Sequence, residues 1–220
     1  MLDTVHDVQT AYRRLLTAFS FPGMPQRLFA GMPPDDQAHE GSSATTLLAM
    51  TLLDNEVSAF FHHASPAEPE RLRHLTYTRM ASPDTADFLF LALEPDTEAF
   101  RHANVGTHID PHLGATILVY VPMLPSTTGD SVAGSARPGY VLTGPGIADE
   151  RRLTHDLGAS AGRRESESYP LWWVEARNEL CAEYPLGVEV VLYDAETNVI
   201  AVPRSTRIVN VPSNGSRGGA

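Results

Sequence analysis

The chain has 220 residues, a formal net charge of -11 and a 42% share of apolar residues. This length is typical of one globular domain, and the acidic balance argues against binding nucleic acid through its phosphates. All 16 basic residues are arginine. Without lysine the chain cannot form the Schiff base of pyridoxal phosphate enzymes or supply the lysine of a Walker A loop, so no cofactor is predicted.

The sequence shows no sign of export or membrane insertion. It has no basic segment followed by an apolar run at its start, and no apolar stretch near the roughly 18 residues that a membrane helix needs. Cys181 is the single cysteine, so no disulfide can form within the chain. These features predict a cytoplasmic protein without a membrane partner.

In the first half of the chain, apolar spacing and Gly or Pro breaks divide the sequence into alternating helices and strands. In chain order we predict a helix over residues 6–19, a short strand over 26–29, a helix over 42–53, a strand over 57–61, a helix over 66–77 and a strand over 86–93. The last of these is a nearly continuous apolar run, which is typical of a strand buried on both faces.

The second half continues this alternation. We predict a helical turn over residues 98–102, a buried strand over 115–121, strands over 140–143 and 153–157, a helix over 170–180 and a hairpin of strands 188–193 and 199–202. Residues 1–208 are therefore expected to form a single layered α/β domain with a largely buried mixed sheet. Residues 209–220 are rich in Pro, Gly and Ser and are expected to form a flexible tail.

Two histidines and a carboxylate lie close together at His108, Asp110 and His112. Such a group could supply three metal ligands and serve an independent metal-dependent hydrolase. However, Pro111 opposes a helix through this segment, and no second group of potential ligands is apparent. The sequence therefore favours an irregular loop and no bound metal, with the hydrolase kept as an alternative function.

Gly144 and Gly146 flank Pro145 directly after a predicted strand. Glycines at such a place let the backbone turn sharply and present N–H groups to an anion. The spacing lacks the full Gly-x-Gly-x-x-Gly pattern. Two interpretations remain open, a phosphate-binding turn and a turn with a structural role only.

Arg204 and Arg207 enclose two hydroxyl residues in the segment Pro203-Arg204-Ser205-Thr206-Arg207. Two guanidinium groups with this spacing could clamp phosphate oxygens. They could equally pair with acidic groups of a partner or lie on plain surface. The sequence leaves these three alternatives open.

Several segments together carry a family resemblance. In order they are Val5-His6-Asp7-Val8-Gln9, Phe21-Pro22-Gly23, Leu52-Leu53-Asp54-Asn55-Glu56, Pro111-His112-Leu113-Gly114-Ala115-Thr116, Leu142-Thr143-Gly144-Pro145-Gly146-Ile147, Tyr184-Pro185-Leu186-Gly187-Val188-Glu189 and Val202-Pro203-Arg204-Ser205-Thr206-Arg207-Ile208. Their order and spacing resemble the PhnH family of the bacterial carbon–phosphorus lyase system. Two departures fall at Phe21, where the family more often has Arg, and at Glu189, where it usually has Asp.

The resemblance implies a fold similar to the pyridoxal-phosphate-dependent transferases, without their cofactor. It implies a homodimer in isolation and a core complex with the G, I and J subunits. It also implies a part, with the G, I and L subunits, in displacing adenine from ATP by a phosphonate to give a ribose 1-phosphonate 5-triphosphate. Radical cleavage of the carbon–phosphorus bond would belong to the J subunit. No catalytic residue is carried over, and a pure scaffold is the alternative role.

Overall fold

The computed structural model describes residues 5–29, 42–62, 65–91, 97–124, 139–154 and 172–211. Within these ranges the α-helices are α1 (His6–Ser20), α2 (Ser42–Leu52), α3 (Ala67–Thr76), α4 (Thr97–Arg101) and α5 (Trp172–Leu180). The strands are β1 (Gln26–Arg27), β2 (Ser58–His62), β3 (Arg79–Met80), β4 (Phe88–Leu91), β5 (Thr116–Tyr120), β6 (Gly139–Thr143), β7 (Arg151–Thr154), β8 (Glu189–Tyr193), β9 (Asn198–Val202) and β10 (Arg207–Val211).

The described strands form one large mixed sheet and one small antiparallel sheet. The large sheet has seven strands in the order β1-β9-β8-β5-β4-β2-β3, and the small sheet has the order β10-β6-β7. Strands β3, β2, β4, β5 and β8 run parallel to one another. Strand β9 pairs antiparallel with β8, and the edge strand β1 pairs antiparallel with β9. The predicted α/β architecture with a largely buried mixed sheet is confirmed.

The large sheet is the middle of three layers. Because successive strand residues point to opposite faces, Phe90 packs on one side while Leu89 and Leu91 pack on the other. Helices α1, α2 and α3 cover the Phe90 side. Helices α4 and α5, together with the small sheet, cover the Leu89 side. Burial on both faces explains why β4 and β5 are almost continuously apolar.

The turn between β8 and β9 is organised by the buried carboxylate of Asp194. Its Oδ1 accepts the N–H groups of Glu196 at 3.0 Å and Asn198 at 2.9 Å. Its Oδ2 accepts the Leu124 N–H and the Asn198 amide, both at 2.9 Å. Burial raises the pKa of Asp194, and these hydrogen bonds act in the opposite direction. The carboxylate thus joins the hairpin to the chain that leaves β5.

The predicted elements agree with the observed ones, with small differences at their ends. The helices over 6–19, 42–53 and 66–77, the described part of the helix over 170–180 and the hairpin are confirmed. Residues 92–93, 155–157 and 170–171 of predicted elements lie outside the described residues. No pattern in the sequence indicated β3, which has two residues. Strand β10 was not predicted either; it pairs with β6 along its length, so residues 209–211 of the predicted tail belong to a strand. Residues 212–220 of the predicted tail lie outside the described residues.

None of the helices in the described ranges is long and apolar enough to cross a membrane.

Candidate functional site

The turn after β6 and the segment before β10 lie side by side. Strands β6 and β10 are antiparallel, and their register places Thr143 opposite Arg207. The backbone that follows β6 therefore meets the backbone that precedes β10. A Cβ atom added at Gly144 would lie 3.0 Å from the Ser205 carbonyl oxygen. Both segments that the sequence singled out thus belong to one region of the molecule.

The same turn packs against the end of α1. Gly146 has a φ of +81°, and a Cβ atom there would overlap the Ser20 carbonyl oxygen. A side chain at this position would be excluded both by the left-handed backbone and by the close approach. Helix α1 is held nearby because the Gly23 N–H donates to the Ala201 carbonyl of β9 at 3.0 Å. A structural requirement for glycine therefore exists at Gly146 whatever else the turn does.

An open cleft lies where these elements meet. It has a volume of about 510 Å³ and is lined by Phe19, Ser20, Pro145, Gly146, Glu189, Pro203 and Ser205. This volume is within the range of small-molecule sites, which is roughly 300–1,000 Å³. A second hollow near Thr45 and Tyr193 has about 10 Å³, which is room for about one water molecule. The larger cleft is therefore the candidate site.

The guanidinium of Arg204 is turned into the protein rather than into solvent. Its Nε donates to Glu189 Oε1 at 2.6 Å, and the Arg204 backbone N–H donates to Glu189 Oε2 at 2.7 Å. Its Nη1 donates to the carbonyls of Pro111 and Pro185. The side chain is 14% exposed. Arg204 therefore ties two separate segments, around Pro111 and over 185–189, to the turn, and a phosphate clamp would require these bonds to break.

A second buried arginine supports the same turn from α5. The Arg177 Nη2 donates to the Pro203 carbonyl at 2.7 Å, and Nη1 donates to Asn178 Oδ1 at 3.2 Å. Its Nε is buried and has no hydrogen-bond partner in the described part of the chain. Burial lowers the pKa of Arg177, while the nearby Cys181 and Glu189 act to raise it. Glu189 thus forms an ion pair with Arg204 and adds a nearby negative charge for Arg177.

Arg207 differs from Arg204 in being exposed. It begins β10, two residues beyond Ser205 of the cleft. No residue among the described ranges makes a hydrogen bond or an ion pair with its side chain. Of the two predicted arginines, Arg207 is the one whose charge is available to a ligand or a partner.

The histidine segment forms a surface turn. Pro111 begins a short 3-10 helix, Pro111–Leu113, as a proline can at the first helical position. His112 Nδ1 lies 4.0 Å from Asp110 Oδ1, with both side chains well exposed. His108 is exposed as well. No group of three potential metal ligands occurs in the ranges that the structure describes.

Glu189 and Arg177 were not identified as site residues from the sequence, although the apolar pattern of α5 does indicate that Arg177 is buried. In α5, Trp173, Ala176 and Leu180 repeat at helical spacing, and Arg177 falls on this apolar face. A charged residue on an apolar face indicates a buried pair. Glu189 carries no such local signal, because its partners come from distant segments.

The comparisons with known proteins agree on one family. The family model for the bacterial phosphonate metabolism protein PhnH matches residues 1–209. The C-P lyase subunit protein HtxG of Stutzerimonas stutzeri is 31% identical over 200 residues, which cover 91% of this chain and 85% of that protein. The PhnH subunit of the alpha-D-ribose 1-methylphosphonate 5-triphosphate synthase of Rhizobium meliloti (strain 1021) is 25% identical over 212 residues, covering 94% of this chain and 92% of that subunit.

Proposed function

The chain belongs to the PhnH family of bacterial phosphonate metabolism proteins, and we propose that it is a non-autonomous subunit of a carbon–phosphorus lyase complex. The observation that carries the proposal is the similarity to the HtxG subunit, which extends over 91% of the chain. In this role the chain takes part in forming a ribose 1-phosphonate 5-triphosphate, the class of product named for the Rhizobium meliloti synthase. It would work in the cytoplasm.

The proposed partners are the G, I and J subunits of the same system, with a homodimer formed by the chain alone. The support for these partners is that both curated relatives are themselves named as subunits. We also propose that the fold is similar to that of the pyridoxal-phosphate-dependent transferases. An independent hydrolase is less well supported, because its histidines lie exposed on a surface turn.

The cleft and Arg207 are the proposed contact region for a triphosphate or a partner. Pro145 and Gly146 of the turn line the cleft, and Arg207, unpaired among the described residues, follows two residues after Ser205. A guanidinium binds phosphate or carboxylate oxygens through parallel N–H donors. The role of Arg204 in this region is to hold the turn.

Co-expression with the G, I and J subunits tests the subunit proposal. We expect the tagged chain to co-purify with them, and to form a homodimer in light scattering when expressed alone. A monodisperse monomer that also fails to retain the other subunits would contradict the proposal.

Growth on a phosphonate as the sole phosphorus source tests the role of Arg207. We expect Arg207→Ala to slow growth of a strain that depends on this chain, because the variant removes the free guanidinium. The matched control is Arg152→Ala, which removes an exposed arginine of the small sheet that is paired with Glu150. Equal growth of the two variants would leave Arg207 without a role and favour a pure scaffold.

The chain should not bind pyridoxal phosphate covalently, because it has no lysine to form the internal Schiff base. Incubation with the cofactor followed by borohydride reduction should leave every side chain unmodified in mass spectrometry. The α-amino group is the remaining amine and has to be assigned separately. A stoichiometric adduct on any side chain would contradict this prediction.

A further inference from the structure

Among the described residues that line the cleft, Glu189 is the one titratable residue, and its carboxylate is held in a fixed orientation. Each oxygen accepts a hydrogen bond from Arg204, Oε1 from the side chain and Oε2 from the backbone N–H. A carboxylate has about four lone-pair positions, so each oxygen can accept one further bond. The Glu189 side chain is 21% exposed. A ligand in the cleft would therefore meet two adjacent acceptors.

We propose that this cleft binds the ribosyl part of a ribose phosphate, with the two oxygens of Glu189 accepting hydrogen bonds from neighbouring sugar hydroxyls. The inference rests on the proposed function and names the part of the substrate or product that this chain would hold. A pair of adjacent acceptors matches a pair of adjacent hydroxyl donors. Acidic residues accept hydrogen bonds from ribose hydroxyls in this way in dinucleotide-binding folds.

The same geometry excludes a phosphate from direct contact with Glu189. The carboxylate would repel the anion, and the nearest buried guanidinium, Arg204, is already bonded to the carboxylate and to backbone carbonyls. The phosphate of the ligand would instead lie toward Arg207, which is exposed and unpaired within the described residues. The sugar is thus assigned to Glu189 in the cleft, and the phosphate to Arg207, which lies two residues along the chain from Ser205.

The remaining walls suit the apolar face of a sugar. Phe19, Pro145 and Pro203 are lining residues with apolar side chains, and Ser205, which is exposed, carries a hydroxyl. The volume of about 510 Å³ exceeds that of a ribose phosphate, so part of a longer phosphate chain can be accommodated.

Titration of the full chain with three compounds tests the inference. The probes are ribose 5-phosphate, 2-deoxyribose 5-phosphate and inorganic phosphate, with binding followed by calorimetry or by amide shifts in NMR. We expect ribose 5-phosphate to bind about tenfold more tightly than the deoxy sugar, because the latter lacks one hydroxyl donor to a charged acceptor. Inorganic phosphate should bind more weakly than either sugar.

A cleft-filling variant tests the location without disturbing Glu189. We expect Ser205→Tyr to weaken ribose 5-phosphate binding more than tenfold, because Ser205 is exposed and lines the cleft. The matched control, Val209→Tyr, adds the same ring at an exposed position of β10 that does not line the cleft. Both variants should unfold at the wild-type temperature.

Three results would overturn the inference: no binding of ribose 5-phosphate, equal affinity for the sugar and its 2-deoxy analogue, or unchanged binding in Ser205→Tyr. Co-purification with the G, I and J subunits is read out separately. A chain that assembles with them but shows any of these three results would refute the ribosyl site and leave the proposed function standing.

Discussion

Replacing Glu189 with glutamine is expected to lower the free energy of unfolding of the isolated chain by about 3 kcal/mol. The substitution preserves the shape of the side chain but removes its charge. Arg204 is 14% exposed and bonds to Glu189 through both its side chain and its backbone. Arg177 is 2% exposed and has Glu189 as a nearby opposite charge. The variant would leave the half-buried Arg204 guanidinium without its ion-pair partner and would remove a negative charge near the buried Arg177.

Urea unfolding measures this loss, and the chain supplies matched controls. Glu150→Gln removes a carboxylate from an exposed pair with Arg152, which should change the free energy of unfolding by about 1 kcal/mol or less. Arg204→Ala should be strongly destabilising, whereas Arg207→Ala should stay within about 0.5 kcal/mol of wild type because its side chain is exposed and unpaired in the described region. Equal effects of Glu189→Gln and Glu150→Gln would show that the Glu189–Arg204 ion pair stabilises the fold no more than an exposed pair does.

This expectation also separates the two arginines that the sequence could not tell apart. A double replacement of Arg204 and Arg207 would combine a folding defect with any loss of binding. The single variants distinguish these effects, since only Arg204 is bonded to the carbonyls of Pro111 and Pro185. Growth tests are therefore interpretable for Arg207 and require a stability measurement beside them for Arg204.

The elements that the sequence predicted well are those whose pattern is local. The apolar runs around β4 and β5 have side chains on both faces of the sheet, and both faces are covered. The hairpin of β8 and β9 could be predicted because Asp194 and Asn198 are turn residues between two apolar runs. Each of these signals lies within a few residues of the structure that it predicts.

Strand order and the small sheet could not be predicted, because they depend on pairing between distant segments. Nothing local in β6 indicates that Leu142 lies opposite Ile208 in β10. A strand such as β3 pairs through two residues only and has no periodicity to detect. Pairing of this kind is decided by packing of the whole domain rather than by local preference.

In the candidate site, too, the features with local sequence patterns could be predicted, and those that depend on distant segments could not. The glycine turn and the arginine segment were each predicted as special, but their union in one cleft depends on the pairing of β6 with β10. The inward orientation of Arg204 depends on Glu189, Pro111 and Pro185, which come from two other parts of the chain. The charge of a residue is visible in the sequence, whereas the direction of its side chain is set by such long-range partners.

Replacing Asp194 with alanine is expected to lower the free energy of unfolding by about 3 kcal/mol, because it leaves several buried N–H donors without an acceptor. Asp194 is 2% exposed and accepts four hydrogen bonds, from Leu124, Glu196 and both the backbone and the amide of Asn198. Asp194→Asn should show an intermediate loss, since its amide keeps one oxygen acceptor but turns an N–H₂ toward donors.

A matched turn elsewhere in the chain provides the control for Asp194. Asp54 Oδ1 accepts the Glu56 N–H at 2.8 Å, as Asp194 Oδ1 accepts that of Glu196, but Asp54 is exposed. Water can replace the lost acceptor there, so Asp54→Ala should cost about 1 kcal/mol or less. Chemical denaturation of the three variants ranks the losses as Asp194→Ala, then Asp194→Asn, then Asp54→Ala. Equal losses for the two alanine variants would show that the hydrogen bonds of the buried Asp194 carboxylate stabilise the fold no more than the exposed hydrogen bond of Asp54 does.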